Sequence, residues 1–469
     1  MSMDPLLQNY SEQISSRTAL VHVDGAGKTR EISFLDLDSD VNRAANTLIS
    51  RGIRKGDHFL ICCADSYLIR CWFLGGLKIG AVPCIVFPGS GAGGLERRAR
   101  GADSKLLIRN TDDFAASSDR FTPAEMNEDD PGFIVFTSGT SGAPKPVLHR
   151  RGIANAVIRS MKEVLHASPE DRFWCTAHPA WITGTVYGIL GPALCGITAV
   201  LFDGAFHAGR WMPILADQRV TLWYTAPSAL RGLMRAEDAF FKDFDFSNLK
   251  QIYSVGEPLS SDVFAWGIRV FGKPILDTWF QTETGTIRIA NAPGKPLIPG
   301  TMGKAVDDTE LEVRNIQNGI GELWLRAGWE SAFTGYYRRE EETAAKFRDG
   351  WFRTGDAVRQ EPDGTLTFIG RIDNVINTSG HLVGSFEIEQ ALMSVPEIAD
   401  VYVIAEPDPL TWQKPAAHIQ LHAGVVWERP LEMKLRKAVT EAIAPYAVPA
   451  HFYIEEEIRK TDSGKTIRK

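Results

Sequence analysis

The stretch FIVFTSGTSGAPK, residues 133–145, sets two hydroxyl-glycine pairs and a lysine directly behind a short apolar run. Glycines at 139 and 142 let the backbone turn its N–H groups inward as an anion nest. Thr137, Ser138, Thr140 and Ser141 add hydroxyl donors, and Lys145 adds a positive charge. Such a loop suits a polyphosphate, although the same string on its own also reads as a hydrophilic surface loop. Two other Gly-Lys-Thr sites, at 27–29 and 464–466, lack the first glycine of a P-loop, where His22 and Arg459 stand instead. Gly89-Ser90-Gly91-Ala92-Gly93-Gly94 follows a strand-like run and has Asp112 and Asp113 about 20 residues on, the spacing of a dinucleotide fingerprint. Pro88 interrupts its strand-to-turn junction, and a flexible loop is the alternative.

These loops need elements to hold them. Ser33 and Asp36 make a helix start, and Leu37, Val41, Ala44, Ala45 and Leu48 recur at helical spacing until Gly52. Residues 59–63, 81–87 and 133–136 read as buried strands, and 66–77 as a helix. That alternation predicts an α/β fold: a large multi-layer domain with parallel sheets. Near residue 370 the pattern changes. Strands at 366–369, 399–406 and 416–423 and from 452, helices at 385–395 and 431–443, and a charged connector at 371–374 predict a smaller α+β domain of roughly a hundred residues.

The 469 residues are 44% apolar and 23% charged, which excludes a largely disordered or fibrous chain. A net charge of −7 argues against a nucleic-acid binder, so any anionic ligand must be met by local donors. The most apolar stretch, 67–87, is interrupted by Arg70 and Lys78, and no membrane span is expected. Residues 1–23 lack the basic and apolar regions of a secretory signal. Cys62, Cys63, Cys71, Cys84, Cys175 and Cys195 lie mostly in apolar runs and read as buried thiols of a reducing cytoplasm, without zinc spacing.

TSGTSGAPK resembles the phosphate loop of the adenylate-forming superfamily: acyl-CoA synthetases, luciferases and peptide-synthetase adenylation domains. Later segments follow in that superfamily's order: SVGEP at 254–258, DTWFQTETG at 277–285, GEL at 321–323, WFRTGD at 351–356, GRID at 370–373 and SGK at 463–465. Within it, FWCTAHPAWITG at 173–184, TLWYTAPSALRGLM at 221–234 and DTWFQTETG are most similar to acetyl-CoA synthetases.

The resemblance implies ATP-dependent activation of a short-chain carboxylic acid to acyl-AMP, then transfer to the thiol of coenzyme A. By it, Thr137, Ser138, Gly139, Thr140, Ser141, Gly142 and Lys145 hold the β- and γ-phosphates, Thr282 approaches the α-phosphate, and Glu283 helps hold Mg²⁺. Gly256, Glu257 and Pro258 line the adenine slot, and Asp356 takes the ribose hydroxyls with Arg371 beside it. Lys465 is the adenylation lysine, a point charge suited to bridging a carboxylate and an α-phosphate. Ser379, Gly380 and His381 line the thiol tunnel, and Trp181, Ile182, Thr183, Val255 and Phe280 form the acid pocket. The implied domains are 1–372, binding ATP and acid, and 373–469, mobile about Asp373 and carrying Lys465.

Departures from the pattern bear on the acceptor. Pro146 follows Lys145 where glycine is usual, Leu382 stands where acetyl-CoA synthetases carry a phosphate-contacting arginine, and Asn374 replaces a common aspartate. The chain also starts later than a typical acetyl-CoA synthetase, whose N-terminal region helps hold the CoA nucleotide. Adenylation is therefore the firmer expectation, with a carrier-protein thiol or an amine as the alternative acceptor. A weakly active AMP-binding homologue and, from GSGAGG, a nucleotide-dependent oxidoreductase are the competing classes.

Overall fold

The computed structural model describes residues 15–137, 144–306, 308–317, 319–378, 381–408, 412–460, 466 and 468. Ser138, Gly139, Thr140, Ser141, Gly142, Ser379, Gly380 and Lys465 lie outside the described residues. The chain divides into two compact units, one of Met1–Thr309 with Gly328–Ala345, the other of Glu310–Ala327 with Lys346–Lys469.

The first unit is built on two sheets. The larger runs in the order Lys304–Ala305, Ile289–Ala290, Ile275–Trp279, Gln251–Val255, Leu222–Thr225, Arg172–Cys175, Thr198–Phe202, Thr18–Val23 and Thr29–Ser33. Every pairing from Ile275–Trp279 to Thr18–Val23 is parallel. These central strands are buried on both faces and read as near-continuous apolar runs, as a covered parallel sheet requires. The smaller sheet runs Gly335–Tyr336, Lys145–Arg150, Pro131–Thr137, Val82–Ile85, His58–Cys62 and Ser104–Arg109. It is parallel except between Pro131–Thr137 and Lys145–Arg150 and at the short strand Gly335–Tyr336.

Helices cover the sheets where the apolar spacing predicts. Phe34–Ser50 starts at Ser33, whose Oγ accepts the Asp36 N–H at 3.1 Å and donates to Asp36 Oδ2 at 2.7 Å. Its buried side includes Leu37, Val41, Ala44, Ala45 and Leu48 and packs on helix Ser66–Lys78. A Cβ at Gly75 would lie 2.9 Å from Ala45 N and Val41 O, so glycine is what allows the two backbones to approach. Among the described residues no helix is long and apolar enough to cross a membrane. All six cysteines are free; Cys62, Cys63, Cys71 and Cys84 are buried, and Cys175 and Cys195 partly so.

The second unit holds two further sheets. Leu311–Gln317, Ile320–Arg326, Trp351–Gln360 and Phe347–Arg348 form an antiparallel sheet, with Leu366–Arg371 added to Trp351–Gln360. His381–Gly384, Val375–Thr378, Trp412–Leu421 and Ile398–Asp408 form the other, joined by His451–Ile454. Helices Ser385–Met393 and Arg429–Ala442 seal it through Ile388, Leu392, Leu435 and Val439.

The α/β class and the C-terminal α+β region are as expected, with element ends moved by at most four residues. Sequence patterning assigns no element between 137 and 365, a span that holds the central strands of the larger sheet, from Arg172–Cys175 to Ile275–Trp279, and most of the antiparallel sheet of the second unit. The compact second unit consequently begins earlier than the expected boundary at 372/373; compactness does not say where a chain swivels, and that boundary remains a proposal about motion.

Replacing Ser33 by Ala leaves one helix N–H without its acceptor and is expected to cost about 1 kcal/mol. Urea unfolding followed by far-UV circular dichroism should show a lower midpoint at unchanged slope.

Candidate active site

The parallel strands Arg172–Cys175, Leu222–Thr225, Gln251–Val255 and Ile275–Trp279 point the same way. Trp181, Ile182 and Thr183, then Gly256, Glu257 and Pro258, then Phe280, Thr282 and Glu283 all follow the carboxyl ends of such strands. Open parallel sheets take their ligands at that edge.

Thr137 and Lys145 are register partners at the mouth of the hairpin formed by Pro131–Thr137 and Lys145–Arg150. The Gly-rich segment thus joins two antiparallel strands rather than a strand and a helix. Lys145 Nζ lies 2.6 Å from Glu342 Oε2 and 5.0 Å from the centre of the Tyr336 ring. The Lys145 ammonium holds the Glu342 carboxyl below its ordinary range. Pro146 gives up an N–H, but its carbonyl accepts from Tyr337 N–H at 2.8 Å.

The turn from Gln281 to Gly285 is braced at the carbonyls of Thr282, Glu283 and Thr284. His149 Nε2 donates to Thr282 O at 2.9 Å, and Phe333 N–H donates to Glu283 O at 3.0 Å. Thr284 O accepts from Ser331 Oγ at 2.7 Å and Trp329 Nε1 at 3.0 Å. Gly285 has φ +78°, and a Cβ there would lie 2.3 Å from Ser331 O. The Glu283 side chain is fixed as well, because Tyr336 Oη donates to Glu283 Oε1 at 2.7 Å. Burial pushes the His149 imidazole down to about 4, so it is neutral at physiological pH and donates through Nε2. A carboxylate beside a phosphate-type loop offers the hard oxygen set that Mg²⁺ takes, with substrate phosphates completing the shell; the donor chemistry of Glu283 fits that ion.

Gly256 turns the chain with φ +88°, and Glu257 behind it pairs with Arg231 at 2.6 Å. Under this turn Ser254 Oγ donates to Asp277 Oδ1 at 2.5 Å, and burial pushes the Asp277 carboxyl up to about 7. Ile182, Val255 and Phe280 belong to one buried apolar cluster. Phe280 stands edge-on to Tyr187 with ring centres 5.5 Å apart, and Trp181 stands edge-on to Phe87 at 5.5 Å.

In the second unit Arg371 Nη1 donates to Asp356 Oδ1 at 2.6 Å and to Thr354 O at 3.0 Å. The expected neighbours therefore touch. Asp373 is exposed on a short 3₁₀ turn, Ile372–Asn374. His381 stacks on Tyr446 at 4.3 Å. Leu382 packs against an apolar cluster containing Ile320, Ala357 and Ile369, so this position supplies no cation. Around the segment holding Lys465, Lys460 and Thr466 form an antiparallel bridge. Arg468 pairs with Glu389 at 2.9 Å and donates to Ser385 Oγ and Val403 O.

Sequence reasoning missed His149, Ser331, Tyr336, Glu342 and Arg468. Only Arg468, in the basic run after Lys465, gave a signal; the others act through contacts between residues distant in sequence. The GSGAGG segment leads into helix Ala92–Gly101, but of the two acids a ribose could use Asp112 is held by Arg51 at 2.7 Å and by the Arg109 N–H, and Asp113 accepts from the Ala115 N–H at 2.8 Å.

Residues 7–121 and 110–337 match the model of AMP-binding enzymes, and residues 387–465 that of the AMP-binding enzyme C-terminal domain. The chain is 32% identical to acetyl-coenzyme A synthetase of Bacillus subtilis, over 99% of this chain and 88% of that one. It is 30% identical to acetyl-coenzyme A synthetase of Escherichia coli, over 99% and 82% of the two chains. Among solved structures, an acyl-CoA synthetase of Brucella canis superposes with a TM-score of 0.75 at 27% identity, covering 98% of this chain and 92% of that one. An anthranilate CoA ligase in complex with anthranoyl-AMP shares the fold, with a TM-score of 0.88 at 24% identity, covering 99% and 95%.

The His149 ring titrates near 4 when folded and near 6.5 when unfolded. Between those values the unfolded chain binds the extra proton, so this side chain's contribution is complete above about pH 6.5 and is lost as pH falls towards 4. The expected slope from this residue is about 1.4 kcal/mol per pH unit. Thermal melts at pH 6.5 and 5 should show His149→Gln losing less stability on acidification than the parent.

Proposed function

The chain belongs to the AMP-binding enzyme family, and on that premise we propose that it is an AMP-forming acid–thiol ligase for a short-chain carboxylic acid. The acid oxygen attacks the α-phosphorus of ATP and pyrophosphate leaves. The thiol of coenzyme A then attacks the acyl carbon and AMP leaves. The observation that carries this reading is the meeting of Lys145 and Glu283 on Tyr336. That contact joins a phosphate-loop cation to a carboxylate of the kind that holds Mg²⁺.

In this reading the residues divide the work by chemistry. Thr137, the loop behind it and Lys145 bind the β- and γ-phosphates, and Thr282 donates towards the α-phosphate. Glu283 holds Mg²⁺, which when bound offsets phosphate charge. Gly256, Glu257 and Pro258 take the adenine, and Asp356, oriented by Arg371, accepts from the ribose hydroxyls. Lys465 meets the charge that develops as the carboxylate approaches phosphorus. Asp373 is the swivel that exchanges Lys465 for the segment Ser379, Gly380 and His381 in the thiol step. Trp181, Ile182, Thr183, Val255 and Phe280 enclose the acid. Curated relatives named acetyl-coenzyme A synthetase support an acid of few carbons and CoA as acceptor, whereas a carrier-protein acceptor has no support among them.

Acid-dependent pyrophosphate release across a chain-length series, with and without coenzyme A, tests the whole reading; no release with any acid overturns it. Lys465→Ala should slow the adenylation half-reaction by about 10²- to 10³-fold, while thioester formation from supplied acyl-AMP survives. Equal loss in both halves makes Lys465 structural.

Phe280→Gly should move preference towards longer straight-chain acids, by about 0.8 kcal/mol for each methylene newly buried. Deleting a buried ring also costs stability, about 3 to 5 kcal/mol for Phe→Ala in a core. The measurement is therefore a ratio of kcat/KM across acids, and an unchanged ratio in a folded variant removes Phe280 from the pocket floor.

A further inference from the structure

We propose that Tyr336 is a positioning residue for Mg·ATP, fixing the metal-binding carboxylate with its hydroxyl and the phosphate-loop lysine with its ring; this rests on the adenylation reading above. Tyr336 is only 4% exposed. Its Oη donates to Glu283 Oε1 at 2.7 Å, and its ring centre lies 5.0 Å from Lys145 Nζ. The hydroxyl proton is directed at an anion, while the electron-rich face attracts a cation. One aromatic side chain thus serves two opposite charges through two different parts of itself.

The tyrosine is itself held. Tyr336 pairs in register with Val147 on the strand that begins at Lys145. Its N–H donates to Thr343 Oγ1 at 2.9 Å, and its ring packs edge-on to Phe333 at 5.3 Å. Phe333 is the residue whose N–H takes the Glu283 carbonyl. Glu342, next to Thr343, supplies the counter-ion of Lys145 at 2.6 Å. Glu283 therefore keeps one rotamer before any ion arrives, and less side-chain freedom remains to be lost on binding.

Two substitutions separate the two roles. Tyr336→Phe keeps the ring and deletes the hydroxyl. The Mg²⁺ concentration for half-maximal pyrophosphate release should rise about tenfold. Calorimetry without acid should show the affinity for α,β-methylene-ATP in Mg²⁺ falling by a similar factor, and the metal-free affinity staying at the parent value. Tyr336→Leu should lower the metal-free affinity too, because Lys145 has lost its ring. On a Glu283→Gln background, Tyr336→Phe should add no further loss. A folded Tyr336→Phe enzyme with an unchanged or lower Mg²⁺ requirement overturns the proposal. So does an equal fall in metal-free affinity, or an additive loss in the double variant. If the parent releases no pyrophosphate with any acid, the adenylation reading fails, and the Mg²⁺-dependent calorimetric difference still decides the role of Tyr336.

Discussion

A turn can present a threonine and a glutamate to a polyanion only if its own carbonyls, which repel that ligand, are occupied elsewhere. Between Gln281 and Gly285 this condition is met by donors from two places, His149 on one strand and the Trp329–Phe333 segment. The strand Lys145–Arg150 therefore does two jobs. Lys145 and His149 are four residues apart and share a strand face, so the lysine after the Gly-rich segment and the brace of the turn come from one rigid piece of backbone. His149 suits the task because it is fully buried and neutral. A charged imidazole would have to be desolvated there, whereas the neutral ring donates one proton and stacks on Phe133 at 5.1 Å.

What could be read from the sequence follows the range of the forces involved. Helix Phe34–Ser50 was readable because a cap and a 3.6-residue apolar repeat are local signals. The strands His58–Cys62 and Val82–Ile85 were readable because burial on both faces leaves an unbroken apolar run, whereas the central strands of the larger sheet were not assigned. The sheet at Leu311–Gln317, Ile320–Arg326 and Trp351–Gln360 escaped because Leu311–Gln317 is largely exposed and polar, and its order comes from cross-strand pairing. The site divides the same way. The motif residues were visible as short strings, but Tyr336 and His149 are ordinary residues inside strands, and only folding brings them to Glu283 and Thr282.

A chain of net charge −7 that is to hold a triphosphate must concentrate positive potential locally. Its carboxylates near the site are accordingly engaged: Glu283 with Tyr336, Glu342 with Lys145, and Glu257 with Arg231. Asp277, buried beneath Ser254, is raised to about 7 by desolvation, so below neutral pH it adds no full negative charge under the turn that holds Gly256. The Lys145–Glu342 pair is half-exposed and contributes little to stability. Its physical effect is to keep the ammonium at the Tyr336 ring.

The proposed acid pocket obeys a different constraint. Phe280 rests edge-on against Tyr187, and Tyr187 is tied through its oxygen to Ser160 Oγ at 2.8 Å and to the Ile287 N–H at 2.9 Å. A floor pinned from behind cannot recede to admit a longer chain, and forcing extra methylenes into a packed core costs about 1 to 3 kcal/mol or more. An acid that is too short merely leaves a gap, worth about 1 to 3 kcal/mol per missing methylene. On the ligase reading the pocket therefore discriminates unevenly. It rejects longer acids by collision with a rigid wall and separates shorter ones only by lost contact. Selectivity against long chains then depends as much on the hydrogen bonds behind Tyr187 as on the ring of Phe280 that the substrate meets.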